Sequence, residues 1–309
     1  MSRWSILGSG VTGLCVATAL ANAGETLEVI TAEHCPASHW AGGMLAPYCE
    51  GESAPEEVVK LGQHSADWWQ QNVSGVERQG TLVIAPPRDA AELNRFARMS
   101  QGHQWVDPGT IEPRLEGRFS RGLFFSEEGH LDPRRALAEL REKLIARGVH
   151  FHQGKAAGRV IDCRGFYAAE QLPALRAVRG EMMILHSRDV SFSRPVRLLH
   201  PRFPCYLVPR GEERFMLGAT MVESRDESPV SARAMMELLS AAWTIDPAFA
   251  DASIIETGSG LRPAWPSNVP DIRYQDGTFY VNGMYRHGFL LAPIIAERLV
   301  QQLSEETPQ

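Results

Sequence analysis

Gly8-Ser9-Gly10-Val11-Thr12-Gly13 is the stretch that decides the fold. It follows a short apolar run, Trp4 to Leu7. It opens a helical pattern, Val11 to Ala23, with apolar residues at 11, 14, 16, 17 and 20 and Gly24 placed to end it. A second apolar run, Leu27 to Ile30, comes next. Strand, tight glycine turn, helix and strand within about 30 residues is the setting of a dinucleotide-binding fingerprint rather than of an ordinary turn. Gly8 permits the sharp turn, Gly10 lets the backbone approach a pyrophosphate, and Gly13 lets the helix pack on the strand. Val11 and Thr12 lie at the positive end of that helix, where phosphates are held. An acidic residue about 20 positions on would meet the ribose. Counted from Gly10, Thr31 stands there and Glu33 lies two further. Glu33 is favoured and Thr31 stays open.

The 309 residues can bury a large core, in two structural units. Hydrophobic content of 44% and charge of 22% are those of a globular protein. A net charge of −6 argues against nucleic acid as a partner. No apolar run approaches the roughly 20 residues of a membrane span. The N-terminus runs straight into a strand, without the pattern of a secretory signal. Cys15, Cys35, Cys49, Cys163 and Cys205 are scattered without CxxC pairing, which points to reduced thiols in the cytoplasm and to no metal site. The ten histidines show no metal-binding spacing. The chain leaves room for a homo-oligomer.

Beyond the first βαβ unit, the small, Gly-rich stretch from Ser38 through Ala41, Gly42, Gly43, Met44 and Leu45 suits a loop lying flat on a planar ligand. A helix is expected over Ala54 to Asn72 with Ser53 as N-cap, a strand over Thr81 to Ala85, and a helix over Ala90 to Met99. Asp132-Pro133 starts a helix that Gly148 stops. Val149 to Phe151 and Gly158 to Cys163 read as strands. So do Glu181 to Leu185, Val196 to Leu199, Tyr206 to Pro209 and Phe215 to Gly218, the last two joined by a turn at Gly211-Glu212-Glu213. A helix capped by Ser231 spans Ala232 to Trp243. Strands at Ile254 to Thr257 and Thr278 to Asn282 precede a closing helix, Gly288 to Leu303. The strand-rich middle contrasts with the βα ends.

Three further segments narrow the reading. They are Cys205-Tyr206-Leu207-Val208-Pro209-Arg210 with Gly218-Ala219-Thr220-Met221; Gly260-Leu261-Arg262-Pro263; and Asn282-Gly283-Met284-Tyr285-Arg286-His287-Gly288-Phe289-Leu290-Leu291-Ala292-Pro293. With the N-terminal fingerprint and Ala41 to Leu45, in this order, they resemble the D-amino-acid oxidase family of flavoproteins. Within it the likeness is to the glycine-oxidising branch that serves thiamine (thiazole) biosynthesis. It runs over nearly the whole chain. It implies an α/β architecture: a Rossmann-like, discontinuous FAD-binding domain (1–45, 130–175 and 255–309) with an inserted β-rich, α+β substrate domain (46–129 and 176–254).

The resemblance also implies oxidative deamination of glycine, other small amines or D-amino acids to the imine, which then gives the 2-oxo acid and ammonia. Hydride passes to FAD, and electrons pass to oxygen to give hydrogen peroxide. Gly8, Gly10 and Gly13 would hold the pyrophosphate, and Ser38 and Ala41 to Leu45 would run beside the phosphates and the isoalloxazine. Cys163 and Gly165 would occupy the second adenine-side crossing. His287, Gly288, Phe289 and Leu290 would bring a helix N-terminus to the flavin pyrimidine edge. Arg262 would pair with the substrate carboxylate, Tyr206 would add a phenol hydrogen bond, and the Arg286 carbonyl would face the amine. No general base is implied, since positioning carries the catalysis. No cysteine follows Cys205, where related sarcosine oxidases attach their flavin, so the FAD is expected to be non-covalent. The chain departs from the family in being short, in carrying His39-Trp40-Ala41 before the flavin loop, and in reading Asp162-Cys163-Arg164-Gly165 at the second crossing.

Three other functions compete. A D-amino-acid dehydrogenase would share the half-reaction but use another acceptor. An NAD-dependent dehydrogenase is opposed by the flavin-loop and C-terminal motifs. A non-catalytic scaffold is opposed by Tyr206, Arg262 and Arg286.

Overall fold

The computed structural model describes residues 4–200 and 204–305. The fingerprint folds as its spacing dictates: strand Trp4–Leu7, helix Val11–Asn22, strand Leu27–Ile30. These two strands are the centre of a six-stranded sheet, ordered Asp271–Gln275, Thr278–Asn282, Arg159–Asp162, Trp4–Leu7, Leu27–Ile30, His150–His152. All neighbours are parallel except the edge pair formed by the two C-terminal strands. Parallel central strands are covered on both faces, so their apolar residues need not alternate, and the buried Ser5 donates to the buried Glu28 at 2.6 Å. Ile6, Val29 and Ile161 are fully buried.

The first helix packs against the closing helix Gly288–Glu305 in one continuous core that includes Leu14, Leu20, Leu291, Ile295 and Leu299. Pro293 lies inside the closing helix. A proline has no N–H, so the carbonyl four residues back loses its helical donor. That carbonyl, Phe289 O, instead accepts from Trp69 Nε1 at 2.7 Å and Ser65 Oγ at 3.1 Å. The defect in one helix thereby docks another, Ser65–Asn72, beside it.

A second, nine-stranded sheet takes its strands from Thr81–Ile84, Gln104–Val106, Gly122–Phe125, Arg176–His186, Val196–Leu198, Cys205–Pro209, Arg214–Gly218, Val222–Glu223 and Ser253–Ala264. Arg176–His186 and Ser253–Ala264 run antiparallel along almost their whole lengths. Helix Ala232–Ile245 covers one face, burying Leu238, Ala241 and Ile245 against Phe215, Phe192 and Phe249.

Several elements differ from the sequence reading. The helix expected over 54–72 is two helices, Glu56–Gly62 and Ser65–Asn72, and Ser53 does not cap it. The strand expected at 254–257 extends to Ala264 and belongs to the second sheet, although it was placed with the nucleotide-binding segments. Asp132 and Ser231 do cap their helices: Asp132 accepts from the Arg134 and Arg135 N–H groups, Ser231 from that of Ala234.

Candidate functional site

A long cleft opens between the two sheets, with about 1750 Å³ of space including its mouth. It runs from the glycine turn at Gly8 to Tyr206 and Arg286, an extent that suits an extended dinucleotide with a substrate beside it. One end is the glycine turn. Gly8 has φ of +100°, which a side chain resists. A Cβ on Gly13 would lie 1.9 Å from the Gly8 carbonyl oxygen, so only glycine lets the helix approach the strand this closely. No side chain of the turn caps the helix. Its Val11 N–H donates instead to Ser38 Oγ, 3.2 Å away. The N-terminus of the closing helix converges on the same place, with Gly288 packed against Val11. Two helix N-termini thus face one cleft, where their dipoles favour a pyrophosphate and a flavin ring that becomes negative on reduction. The residues present therefore fit FAD.

The Ala41–Leu45 loop is held from behind. Gly43 adopts φ of +68° and accepts a hydrogen bond from Leu131 N–H. Arg210 lies beneath, largely but not fully buried, and donates to the carbonyls of Leu131 at 2.8 Å, Ala41 at 3.1 Å and Gly42 at 2.8 Å. Burial pulls its guanidinium pKa down to about 10, so it stays charged at neutral pH. The bulky Trp40, in place of a small residue, is accommodated across the cleft: its ring lies where a side chain on Gly258 would stand.

The other end of the cleft is built by Tyr206, Arg262 and the turn before the closing helix. The Tyr206 ring leans on Gly42, where a Cβ would come within 2.7 Å of it. Burial pushes its phenol up, so it is a neutral hydrogen-bonding group. The Arg262 guanidinium lies over Gly180 and donates to Thr220 O at 3.0 Å. Thr220 is itself fixed by Glu181, whose Oε2 accepts from its hydroxyl at 2.9 Å. Arg262 has no carboxylate partner among the described residues, whereas the other cleft arginines do. Arg164 pairs with Asp162 at 2.6 Å, Arg197 with Glu52 at 3.6 Å, and Arg286 with Glu50 at 2.6 Å.

Glu50 was not foreseen. Burial pushes its carboxyl up, but Arg286 beside it, with His287 and Arg197, holds it down at about 2. His287 Nδ1 lies 3.4 Å from the same carboxylate, yet burial drives the imidazole to about 4 and keeps it neutral.

The cleft brings together Gly8, Gly10, Val11, Thr12, Ser38, Ala41, Gly42, Gly43, Met44, Cys163, Gly165, Tyr206, Arg262 and Arg286 to Leu290, all singled out from sequence. Gly13 stands behind the turn. The Leu45 side chain turns away into the core under the first sheet. Neither acidic-site candidate lines the cleft: Glu33 is exposed, and Thr31 bonds the His152 carbonyl through its N–H at 2.9 Å. Ala32 and His34 face the cleft there instead, and the His34 ring packs on Tyr167 with centroids 3.6 Å apart. Sequence reasoning also missed Arg197, which lies in no motif, and gave no role to Met221 and Tyr285 although both lie in quoted segments.

The family profile described as FAD dependent oxidoreductase (DAO) matches residues 3–302. A Rhizobium etli protein provisionally named thiamine biosynthesis oxidoreductase ThiO is 49% identical, covering 99% of this chain and 98% of its own length. Glycine oxidase of Geobacillus kaustophilus is 24% identical over 94% of this chain and 89% of its own. The crystal structure of glycine oxidase from Bacillus cereus superposes with a TM-score of 0.84 at 20% identity, covering 100% of this chain and 96% of that one.

Proposed function

The chain belongs to the DAO family of FAD-dependent oxidoreductases, and from that premise we propose that it oxidises glycine and other small amines to the imine, with oxygen as acceptor, in the cytoplasm and in the service of thiamine biosynthesis. Among the described residues no helix is long and apolar enough to cross a membrane. The observation that carries the substrate reading is the unpaired Arg262 guanidinium in the cleft. A partly buried cation without a fixed counter-ion calls for an anionic ligand, and a planar fork suits a carboxylate.

In this reading Gly8, Gly10 and the first helix N-terminus hold the FAD pyrophosphate without a covalent link. The Ala41–Leu45 loop and the closing-helix N-terminus flank the flavin. FAD held there would supply the hydride acceptor for the substrate Cα–H. Arg262 and Tyr206 hold the carboxylate and so fix which Cα–H points across the cleft. The Arg286 carbonyl receives the amine, and the neutral His287 and the apolar Met44 add no charge of their own beside it. Glycine offers a hydrogen on either face, a larger amino acid only as the D-enantiomer. Met44 and Tyr206 pack together against Met182, Ile184 and Val208, which leaves limited room for a side chain.

Steady-state peroxide formation in air with glycine, sarcosine, D-alanine, D-phenylalanine and L-alanine tests this. Turnover should fall as the side chain grows and vanish for L-alanine. Reduction of the flavin by glycine without peroxide would replace oxygen by another acceptor, and preference for D-phenylalanine would overturn the small-amine reading.

A further inference from the structure

Glu50 ends a short helix, Pro47–Glu50, and its carboxylate enters the cleft among the substrate-side residues. It takes up most of the Arg286 fork. Nε donates to Glu50 Oε2 at 2.8 Å, Nη2 lies 2.6 Å from the same oxygen and 2.6 Å from Ser53 Oγ, and Nη1 reaches only the Met221 sulfur at 3.7 Å. A thioether is a weak acceptor, so that last position adds little. Arg197, on the same wall, is held by Glu52 at 3.6 Å and by the Cys49 carbonyl at 3.4 Å. The wall therefore carries cations whose charge is already met by anions of the chain, and Arg262 alone among the cleft arginines is left for a ligand.

We propose that Glu50 is a specificity-determining residue: by neutralising Arg286 it restricts the site to amines bearing a single carboxylate. This rests on the amine-oxidation reading and names its substrate class more closely. A monocarboxylic amine satisfies Arg262 and leaves no charge over. A dicarboxylic amine must place its second carboxylate near a wall whose guanidiniums are engaged and where Glu50 itself repels it. Like charges set against each other in a partly buried site are a strong means of rejection. Glu50→Gln removes the repulsion and frees the Arg286 charge, while the amide can still accept from Arg286.

The test compares iminodiacetate with its monoamide, which has nearly the same shape but lacks the second charge. The FAD-loaded wild type should favour the monoamide in kcat/KM by about 10- to 100-fold. In Glu50→Gln that preference should collapse. In Arg286→Gln, where the repelling carboxylate loses its counter-ion, it should grow. Glu50→Asp should retain it. Binding without turnover is read in parallel by titrating thiodiacetate and its monoamide against the flavin absorption spectrum. The same order of charge discrimination is expected there. That titration stands apart from the oxidase reading, because thiodiacetate has no amine. A protein inert to glycine but with Glu50-dependent discrimination would lose the oxidase reading and keep this one. Equal binding of diacid and monoamide by the wild type would overturn the proposal. So would a Glu50→Gln effect confined to the KM for glycine, which would place the carboxylate on the substrate ammonium instead.

Discussion

Arg210→Met removes the guanidinium that ties down the Ala41–Leu45 loop while keeping an apolar stem of similar length. Three partly buried carbonyls, those of Leu131, Ala41 and Gly42, lose their donor. At about 1–2 kcal/mol for each stranded acceptor the loss is about 3–6 kcal/mol. Against this, a cation no longer has to be buried. The fall of its pKa from 12.5 to about 10 sets that relief at about 3 kcal/mol, at ~1.36 kcal/mol per pH unit. The net cost to the apoprotein is then about 0–3 kcal/mol, a drop in melting temperature on the order of 0–8 °C. The larger effect falls on the cofactor, because the loop must be re-ordered before it can flank the flavin. FAD affinity should weaken by about 10- to 100-fold. Thermal melts of the apoprotein and FAD titration by flavin fluorescence read the two effects separately. An unchanged FAD affinity, whatever the melting temperature, would refute the idea that Arg210 pre-shapes the loop.

Arg262→Ala should spare FAD binding but lower kcat/KM for glycine by about 2–5 kcal/mol, some 30- to 5000-fold, and Arg262→Lys should recover only part of it because an ammonium cannot reproduce the fork. Steady-state kinetics on both variants decides this, and near-normal glycine turnover in the alanine variant would remove Arg262 from the site. Glu128 is fully buried with one carboxyl oxygen accepting from Cys49 N–H at 2.7 Å and the other unpartnered, and burial raises its pKa from 4.5 to about 7. The folded state thus keeps a proton that the unfolded chain gives up, so stability declines as pH rises from about 4.5 to 7 and stays reduced above. The penalty reaches about 3 kcal/mol. Glu128→Gln should therefore stabilise at pH 8 and change little at pH 4, as read by denaturant midpoints; equal effects at both would show that the carboxyl is not held neutral.

The nucleotide-side half of the cleft was legible because its signals are local. A φ of +100° at Gly8 and the close approach at Gly13 need glycine whatever surrounds them, and Asp132 caps a helix two residues away. What escaped was decided by distant partners. Glu50 sits in a stretch that reads as the approach to a helix, and Ser53 as its cap. Their partner, Arg286, is more than two hundred residues on. The strand expected to end at Thr257 continues through Gly258 and Gly260, whose bare faces receive the Trp40 side chain. The break between the helices at 56–62 and 65–72 has a tertiary counterpart in the Phe289 carbonyl that Pro293 sets free. At the end of Leu27–Ile30 the acidic residue was sought by counting, but the turn presents Ala32 and His34 to the cleft and leaves Glu33 exposed.

Anaerobic mixing of the purified, FAD-loaded protein with glycine, followed by flavin absorbance at about 450 nm, tests the central claim most directly. Glycine should bleach the flavin, L-alanine should not, and acid precipitation should release the FAD into solution. A protein that neither carries nor can be reconstituted with FAD, or a flavin that no small amine reduces, would contradict the account.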